Sequence, residues 1–470
     1  MKPVTQKKIY FIGICGTAMA TLAAMLRHKG ADVIGSDEHV YPPMSTFLEQ
    51  QGISILQGFD EKHLTPRPDL VVIGNAMSRG NPEVEYVLDE HIPFTSLPAM
   101  VYDSFIRGKY SCVVTGTHGK TTTTSMLAWI LQSAGREPSF LVGGLPQNFS
   151  GSFQLAPGPH FVIEGDEYDT AFFDKVPKFL HYFPELLIIN NIEFDHADIY
   201  RGLDDIKNVF ERLLRLVPRK GYVIANADDP VVREVAQRSY SQNQWFGLTE
   251  QADWRAVDIE TTAAAVRFAV LLKGEKQAAI TLPLSGEHNV RNALAAFVAA
   301  RQLGVSAQAI ETALADFRGV ARRQTLVGEA GGCTIIDDFA HHATAVRETL
   351  KGVRQQYRDR RIWALFEPRS ASAKRVEFEQ HYYEAFDHAD CVVIAPLHRP
   401  DKVAAEKRLS VQRVIDAIRE RGIQADSFPA GEEMLAFLLQ NRQDGDVFVF
   451  MSNGDFAGMP DRLLDALNNK

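Results

Sequence analysis

Cysteine is scarce in this 470-residue chain: Cys15, Cys112, Cys333 and Cys391 lie far apart and never in C-x-x-C spacing. Neither a disulfide framework nor a cysteine-based zinc site is indicated, and a reducing cytoplasm fits best. An excess of positive charge is missing as well. Fifty Lys and Arg against 59 Asp and Glu, a net of -9, leave no electrostatic footprint for tracking a phosphate backbone. Nucleic acid is thereby excluded as a partner, whereas small anionic substrates are not. Apart from residues 9–26, no stretch approaches membrane-span length. One uncharged run, residues 9–26 behind Lys7 and Lys8, imitates a secretory signal, but Gly13, Gly16, Thr17 and Thr21 interrupt it. A strand, a tight glycine turn and a buried helix start explain it better. Low-complexity tracts and solenoid-period repeats are also absent.

What is present, 45% apolar and 23% charged residues, is ordinary for globular protein, and the length suggests about three domains. Residues 9–12 read as a short strand, followed by a glycine turn and the helix-period residues Met19, Leu22, Ala23 and Leu26 up to Gly30. Further strands at 33–34, 53–56 and 70–73 make the first hundred residues a doubly wound α/β unit, closed by a polar connection at Ser104 to Lys109. A second unit begins with a strand at 112–115 and a helix through Met126, Leu127 and Ile130. Apolar runs at 161–163, 186–189 and 222–225 supply its sheet, residues 256–284 an antiparallel addition, and 289–302 a helix. The Arg- and Gly-rich segment 318–332 is a second connection. A third α/β unit has strands at 334–336, 362–366, 391–395 and 447–451 and a helix at 411–419. The expected domains are 1–107, 108–322 and 323–470.

The strongest chemical signal is VVTGTHGKTTTT, residues 113–124, set between a β-branched strand and a helix. Small residues at Gly116, Thr117 and Gly119 let backbone N–H groups approach phosphate oxygens, the helix N-terminus adds partial positive charge, and Lys120 reaches the outer phosphates. The hydroxyl of Thr121 is then placed for Mg²⁺. The segment is no strict G-x-x-x-x-G-K-[ST], since Val114 stands five residues before Gly119; strand-loop-helix context identifies it. His118 reads as structural or backbone-orienting. Two acidic segments, FVIEGDEYDT at 161–170 and INNIEFDHAD at 189–198, each follow an apolar strand. Ligands collect beyond the carboxyl ends of parallel strands, so both should face the phosphate loop, with Glu164 and His196 as magnesium-site residues. A carboxylate with Thr121 suits this oxygen-seeking ion; direct contact from a histidine is less usual.

These motifs, with SGEHNVRNALAA at 285–296 and DDFAHHAT at 337–344, occur in the order found in the Mur ligases, and the chain resembles that family along essentially its whole length. The resemblance implies an N-terminal Rossmann-like UDP-sugar domain, a central ATPase domain and a C-terminal Rossmann-like domain that closes over the nucleotide. It implies an ATP- and Mg²⁺-dependent ligase that activates a carboxylate as an acyl phosphate and joins it to an amine. The turn GICGTAM at 13–19 is similar to the nucleotide-binding turn of the alanine-adding branch. Phe210 and Glu211 stand where other branches carry a carbamylated lysine, so the chain follows the muramate-specific pattern. Three segments depart from the alanine-adding branch and are similar to a tripeptide-adding one: GNAMSRGNPEVE at 74–85, FEPRSAS at 366–372 and MSNGDF at 451–456. The substrates so implied are UDP-N-acetylmuramate and L-alanyl-γ-D-glutamyl-meso-diaminopimelate, joined in peptidoglycan recycling.

Carried over position by position, the resemblance puts Lys120 on the outer phosphates, Thr121 and Glu164 on one magnesium ion, and His196 on a second metal or its water shell. His288, Asn289 and Asn292 would lie near the adenine. Arg323, Asp338 and His341 would approach the ATP phosphates and ribose on closure, and Arg369 the reacting groups. Gly13, Gly16, Thr17, Ser36, Asp37 and Asn75 would contact the uridine diphosphate. Two readings of other classes stay open on residues alone. A dinucleotide-dependent oxidoreductase would use the first glycine turn but leaves GTHGKT unexplained, and GICGTA is not G-x-G-x-x-G. A non-catalytic ATP-binding module would retain the loop without ligation. Within the family, the alanine-adding enzyme is the nearest alternative.

Overall fold

Short aliphatic runs form parallel strands here because a strand buried on both faces needs no alternating polar positions. The computed structural model describes residues 4–262 and 264–469. Its first sheet comprises β1 (Lys8–Ile12), β2 (Asp32–Asp37), β3 (Ser54–Gln57), β4 (Leu70–Ile73) and β5 (Phe94–Ser96), all parallel in the order β3-β2-β1-β4-β5. Strand order reverses between β1 and β4, so the turns after these two strands flank the crevice where ligands of such sheets bind. Gly13, at φ +81°, makes the first of these turns, and the Thr17–His28 helix follows it with Met19 to Leu26 buried. The run at 9–26 is therefore strand, turn and core helix.

The second sheet draws on β6 (Tyr110–Thr115), β7 (Ser139–Leu141), β8 (Phe153–Gln154) and β9 (His160–Glu164); β10 (Asp169–Ala171) and β11 (Asp174–Pro177) form a separate hairpin. It continues with β12 (Leu186–Ile189), β13 (Tyr222–Asn226), β14 (Gln242–Gly247), β15 (Trp254–Thr261), β16 (Val266–Leu272) and β17 (Glu275–Leu282). The order is β17-β16-β15-β14-β13-β12-β6-β9-β7-β8, with β15 to β17 antiparallel, as the alternation at 256–284 predicts. The central β6 lies between β9 and β12, and its successor helix, Lys120–Ser133, packs against the Glu287–Gln302 helix. Residues Ala293 to Ala300 of the latter are wholly buried, which suits a helix enclosed on every side.

The third sheet contains β18 (Thr325–Ala330), β19 (Cys333–Asp338), β20 (Ile362–Phe366), β21 (Cys391–Ile394), β22 (Gln424–Ser427) and β23 (Val447–Met451) in the order β18-β19-β23-β20-β21-β22. Only β18 is antiparallel. Two connections expected from composition turn out to be structured. In the Ser104 to Lys109 segment, Phe105 and Ile106 complete a buried helical turn, Tyr102–Ile106, because these apolar side chains face the core despite their polar neighbours. Within 318–332, Thr325–Ala330 is edge strand β18, half-exposed and so without the continuous apolar signature of its neighbours. Among the described residues no helix is long and apolar enough to cross a membrane.

Candidate active site

Beyond the carboxyl ends of β6, β9 and β12 three loops converge, which follows from the adjacency of those strands. The first is the phosphate loop, where Gly116 at φ +133° and Gly119 at φ +80° adopt conformations that side chains resist. Two of its N–H groups are already engaged: Thr117 donates to the Asn191 carbonyl at 3.2 Å and His118 to Asn191 Oδ1 at 2.8 Å. The donors left for an anion belong to the N-terminus of the Lys120–Ser133 helix. Lys120 Nζ donates to the Gly116 carbonyl at 2.7 Å and to Glu167 Oε2 at 2.9 Å. Burial alone would lower the lysine pKa, but the charges of Glu167 and Asp166 raise it, so Lys120 stays cationic.

Glu164 ends β9 with one carboxylate oxygen accepting the Gly143 N–H at 2.6 Å and the other the Thr121 hydroxyl at 3.2 Å. Burial raises its pKa. A buried carboxylate beside a hydroxyl oxygen, in want of positive charge, suits a hard divalent cation. Arg323 Nη2 reaches Thr121 Oγ1 at 3.4 Å, and its guanidinium lies 4.7 Å from the Phe339 ring centre.

His196, at φ +53°, stands against Glu167 rather than Glu164, with Nε2 3.4 Å from Glu167 Oε1. Burial pulls its pKa down, but the Glu167 contact and the charges of Glu167, Asp195 and Asp166 outweigh it and push it up to about 9. Burial likewise opposes ionisation of Glu167, Asp166 and Asp195, and the neighbouring cations overcome it in each case. Lys178 holds Asp166 at 2.6 Å.

The third unit reaches into this cluster. The Ser372 hydroxyl donates to Asp195 Oδ1 and accepts the His196 N–H at 3.1 Å, and the Thr344 hydroxyl donates to Glu193 Oε2 at 2.7 Å. Phe194 stacks on Phe378, ring centres 5.3 Å apart and 17° from parallel. Glu193 lies near His118 and His342; burial works against its ionisation, yet the His118 contact and Thr344 bring its pKa down to about 2. Burial and the His118 charge hold His342 at about 4.

Other expected site residues sit as follows. Asn289 and Asn292 are buried between helices: Asn292 Oδ1 accepts from Thr123 Oγ1 at 3.2 Å, Asn292 Nδ2 donates to Asn289 Oδ1 at 3.3 Å, and Asn289 Nδ2 donates to the Ser285 carbonyl at 2.8 Å. They brace the phosphate-loop helix from behind. His288 has a buried Nδ1 without a hydrogen-bond partner. Asp338 accepts from the Gln324 and Ala340 N–H groups at 2.8 and 2.7 Å and from Thr349 Oγ1 at 3.2 Å. His341 Nδ1 is 3.0 Å from the Phe339 carbonyl. Arg369 Nη1 lies 3.4 Å from Asp455 and 3.8 Å from Glu367, whose Oε2 accepts from Ser452 Oγ, so the segments 366–372 and 451–456 form one patch.

On the first sheet, the Gly13 and Ile14 N–H groups donate to the Ser36 carbonyl at 2.9 and 3.0 Å. Asp37 Oδ2 accepts the Cys15 N–H at 2.8 Å, Gly16 and Thr17 open the helix, and Asn75 is half-exposed after β4. Ser36 Oγ donates to Glu83, a fully buried carboxylate that also accepts from Tyr10. No hydrogen bond or ion pair among the described residues joins this set to the phosphate-loop set.

The site residues that sequence reasoning passed over are Glu167, Asn191, Glu193, Asp195, His342, Thr344 and Ser372. All lie in or beside segments already singled out. Spacing along a loop does not say which carboxylate of EGDEYD turns towards Lys120.

Comparison with known proteins fits this geometry. Residues 8–108 match the Mur ligase family catalytic domain, 114–300 the Mur ligase middle domain and 322–454 the Mur ligase glutamate ligase domain. The UDP-N-acetylmuramate–L-alanyl-γ-D-glutamyl-meso-2,6-diaminoheptandioate ligase of Escherichia coli is 43% identical over 98% of this chain and 99% of its own. A murein peptide ligase structure from Psychrobacter arcticus shares 36% identity at a TM-score of 0.73, covering 99% of both chains. The UDP-N-acetylmuramate-alanine ligase structure from Thermotoga maritima shares 25% at a TM-score of 0.79, covering 98% of this chain and 99% of its own. With its phosphate loop, its converging acidic loops and its three sheets in this order, the chain belongs to the Mur ligase family, ATP-dependent ligases that form amide bonds.

Proposed function

We propose that this chain joins UDP-N-acetylmuramate to L-alanyl-γ-D-glutamyl-meso-diaminopimelate, releasing ADP and phosphate, in cytoplasmic peptidoglycan recycling. The observation that carries this reading is full-length identity of 43% to a ligase named for these two substrates. The higher TM-score to the alanine-adding structure does not outweigh it. That score follows backbone placement, whereas substrate choice lives in side chains, where identity to the peptide ligase structure is 36% against 25%. Support also comes from the patch of Glu367, Arg369, Ser452 and Asp455, where both C-terminal segments that depart from the alanine-adding branch adjoin. In this reading residues 1–107 hold the nucleotide sugar, 108–322 ATP, and 323–470 the incoming amine.

A carboxylate is a poor acyl donor, so the muramate carboxylate oxygen first attacks the γ-phosphorus of ATP; the bond to the β-phosphate oxygen breaks and ADP leaves. Lys120, released from Glu167, neutralises charge that spreads over the transferring group, and the helix N-terminus receives the phosphate oxygens. Thr121 and Glu164 would hold a Mg²⁺ ion, which would neutralise phosphate charge; His196, paired with Glu167, would reach a second metal or its water shell only after giving up its proton. The peptide amine, as its free base, then attacks the acyl carbon, and the tetrahedral intermediate expels phosphate. Arg369 faces the reacting groups, and Arg323, Asp338 and His341 complete the nucleotide side. The helix start carrying Thr344 and the turn carrying Ser372, which bond Glu193 and Asp195, would cover the site in the closed complex and exclude water that would hydrolyse the acyl phosphate.

The deciding assay follows phosphate release with ATP, Mg²⁺ and UDP-N-acetylmuramate, adding L-alanine or the tripeptide in parallel and detecting product by mass. Turnover with the tripeptide alone is expected. Turnover with alanine alone would make this the alanine-adding enzyme.

A further inference from the structure

His118, Glu193 and His342 converge where the second and third units meet. His118 Nε2 stands 3.6 Å and His342 Nδ1 3.7 Å from the same oxygen, Glu193 Oε2, and all three donor-type atoms lie within 4.8 Å of one another. Both separations are too long for good hydrogen bonds. His342 is 4% exposed, yet neither of its ring nitrogens has a hydrogen-bond partner, and His118 Nε2 is buried without one as well. Buried polar groups in native proteins are otherwise almost always satisfied, so nitrogens aimed at one carboxylate call for something between them.

We propose that His118, Glu193 and His342 form a binding site for a zinc-class divalent cation shared between the phosphate loop and the third unit. The spacing fits: zinc bonds of about 2.0–2.2 Å in a tetrahedron put donor atoms roughly 3.4 Å apart and two bound imidazole centres roughly 5 Å apart. The two rings here are 5.0 Å apart. Two nitrogens and one oxygen suit zinc rather than magnesium, which takes oxygen. A supporting shell is present, since the Thr344 hydroxyl donates to the same carboxylate and Thr117 Oγ1 accepts the Glu193 N–H at 2.9 Å.

The neighbouring group of Asp166, Glu167 and His196 differs in that Lys178 and Lys120 already neutralise its carboxylates. No Lys or Arg pairs with Glu193 among the described residues. Three protein donors leave a fourth position open, and the ion ties the phosphate loop to the third unit, so its binding is linked to that of the nucleotide.

The test uses the full-length protein stripped with chelator and kept in Mg²⁺. It is titrated with Co²⁺, read by the visible absorption of four-coordinate cobalt, and with Zn²⁺ against a chromophoric chelator. One equivalent is expected to bind, with affinity reduced on the order of 100-fold in His342→Gln and Glu193→Gln and unchanged in Glu167→Gln. Zn²⁺ should also raise the melting temperature of the wild type and not of His342→Gln. Should that variant not fold by circular dichroism, Glu193→Gln, which keeps the Thr344 contact, carries the comparison alone. Absence of binding, or the same spectrum and affinity in the folded variants, would overturn the site and leave an ordered water between the rings. The readout is metal binding, so it stands or falls separately from the ligase reading.

Discussion

At Lys120 two demands meet: the ammonium must stay charged in a buried place, and it must be free when a phosphate arrives. Glu167 meets the first demand at 2.9 Å and yields on the second. Lys120→Met is expected to lower kcat by roughly 10²–10³-fold, as loss of a transition-state charge partner does. It should also reduce stability by up to about 3–5 kcal/mol, because Glu167 keeps only its longer contact with His196. Steady-state turnover and urea unfolding of the same variant check both. His196 supplies a pH signature. Its folded pKa, about 9, lies above the unfolded value of about 6.5, so its contribution to stability is fully present below about pH 6.5 and is lost as pH rises through about 9. In metal-free protein, the unfolding free energy of wild type minus that of His196→Gln should be flat below the lower value and shrink towards the upper one. A difference that grows with pH would contradict the Glu167 contact. That Thr121 and Glu164 come together was legible because one opens the helix after β6 and the other ends the adjacent strand β9. Glu167 and His342 were not, since a loop's carboxylates and adjacent histidines diverge by backbone turns that leave no periodic trace.

The same difference operates among elements. The core strands β4, β6, β9, β12 and β20 were readable as uninterrupted apolar runs because both faces are covered. The three-residue β5 and β7, the hairpin β10-β11 and the edge strand β18 were not, being short or half-exposed. Asn292 shows how a packed element uses a polar side chain: from the Glu287–Gln302 helix it accepts from Thr123 on the phosphate-loop helix, and Asn289, tied to the Ser285 carbonyl, accepts from its Nδ2 and holds it in place. Gly119 is the point of contact, since a Cβ there would stand 2.4 Å from Asn292 Oδ1 at a backbone φ of +80°. Gly119→Ala should therefore cost about 1–3 kcal/mol in backbone strain and shift the helix start away from the anion. ATP affinity by calorimetry and melting temperature are expected to fall together. A variant that binds ATP normally would mean that the bracing is incidental.

Across the whole molecule, three sheets present their carboxyl-end loops for use, and the second and third face one another. The contacts between them are specific: Ser372 on Asp195, Thr344 on Glu193, Lys351 on Glu287 at 2.9 Å, and Phe194 stacked on Phe378. Aromatic stacking adds about 0.5–1.5 kcal/mol beyond the area it buries, a useful fraction of what separates a docked from a swung-out domain. An acyl phosphate between these loops survives only while water is kept away, so coupling of ATP cleavage to amide formation is a property of the interface as much as of any catalytic side chain. Phe194 belongs to the second unit and is only partly buried, so its truncation weakens docking without emptying the core of the third. Phe194→Ala is therefore expected to retain ATP binding while releasing more phosphate than amide formed, a ratio the wild type should hold at one. Parallel phosphate and product assays read it directly, and a ratio that stays at one with normal kcat would show that closure does not depend on this contact.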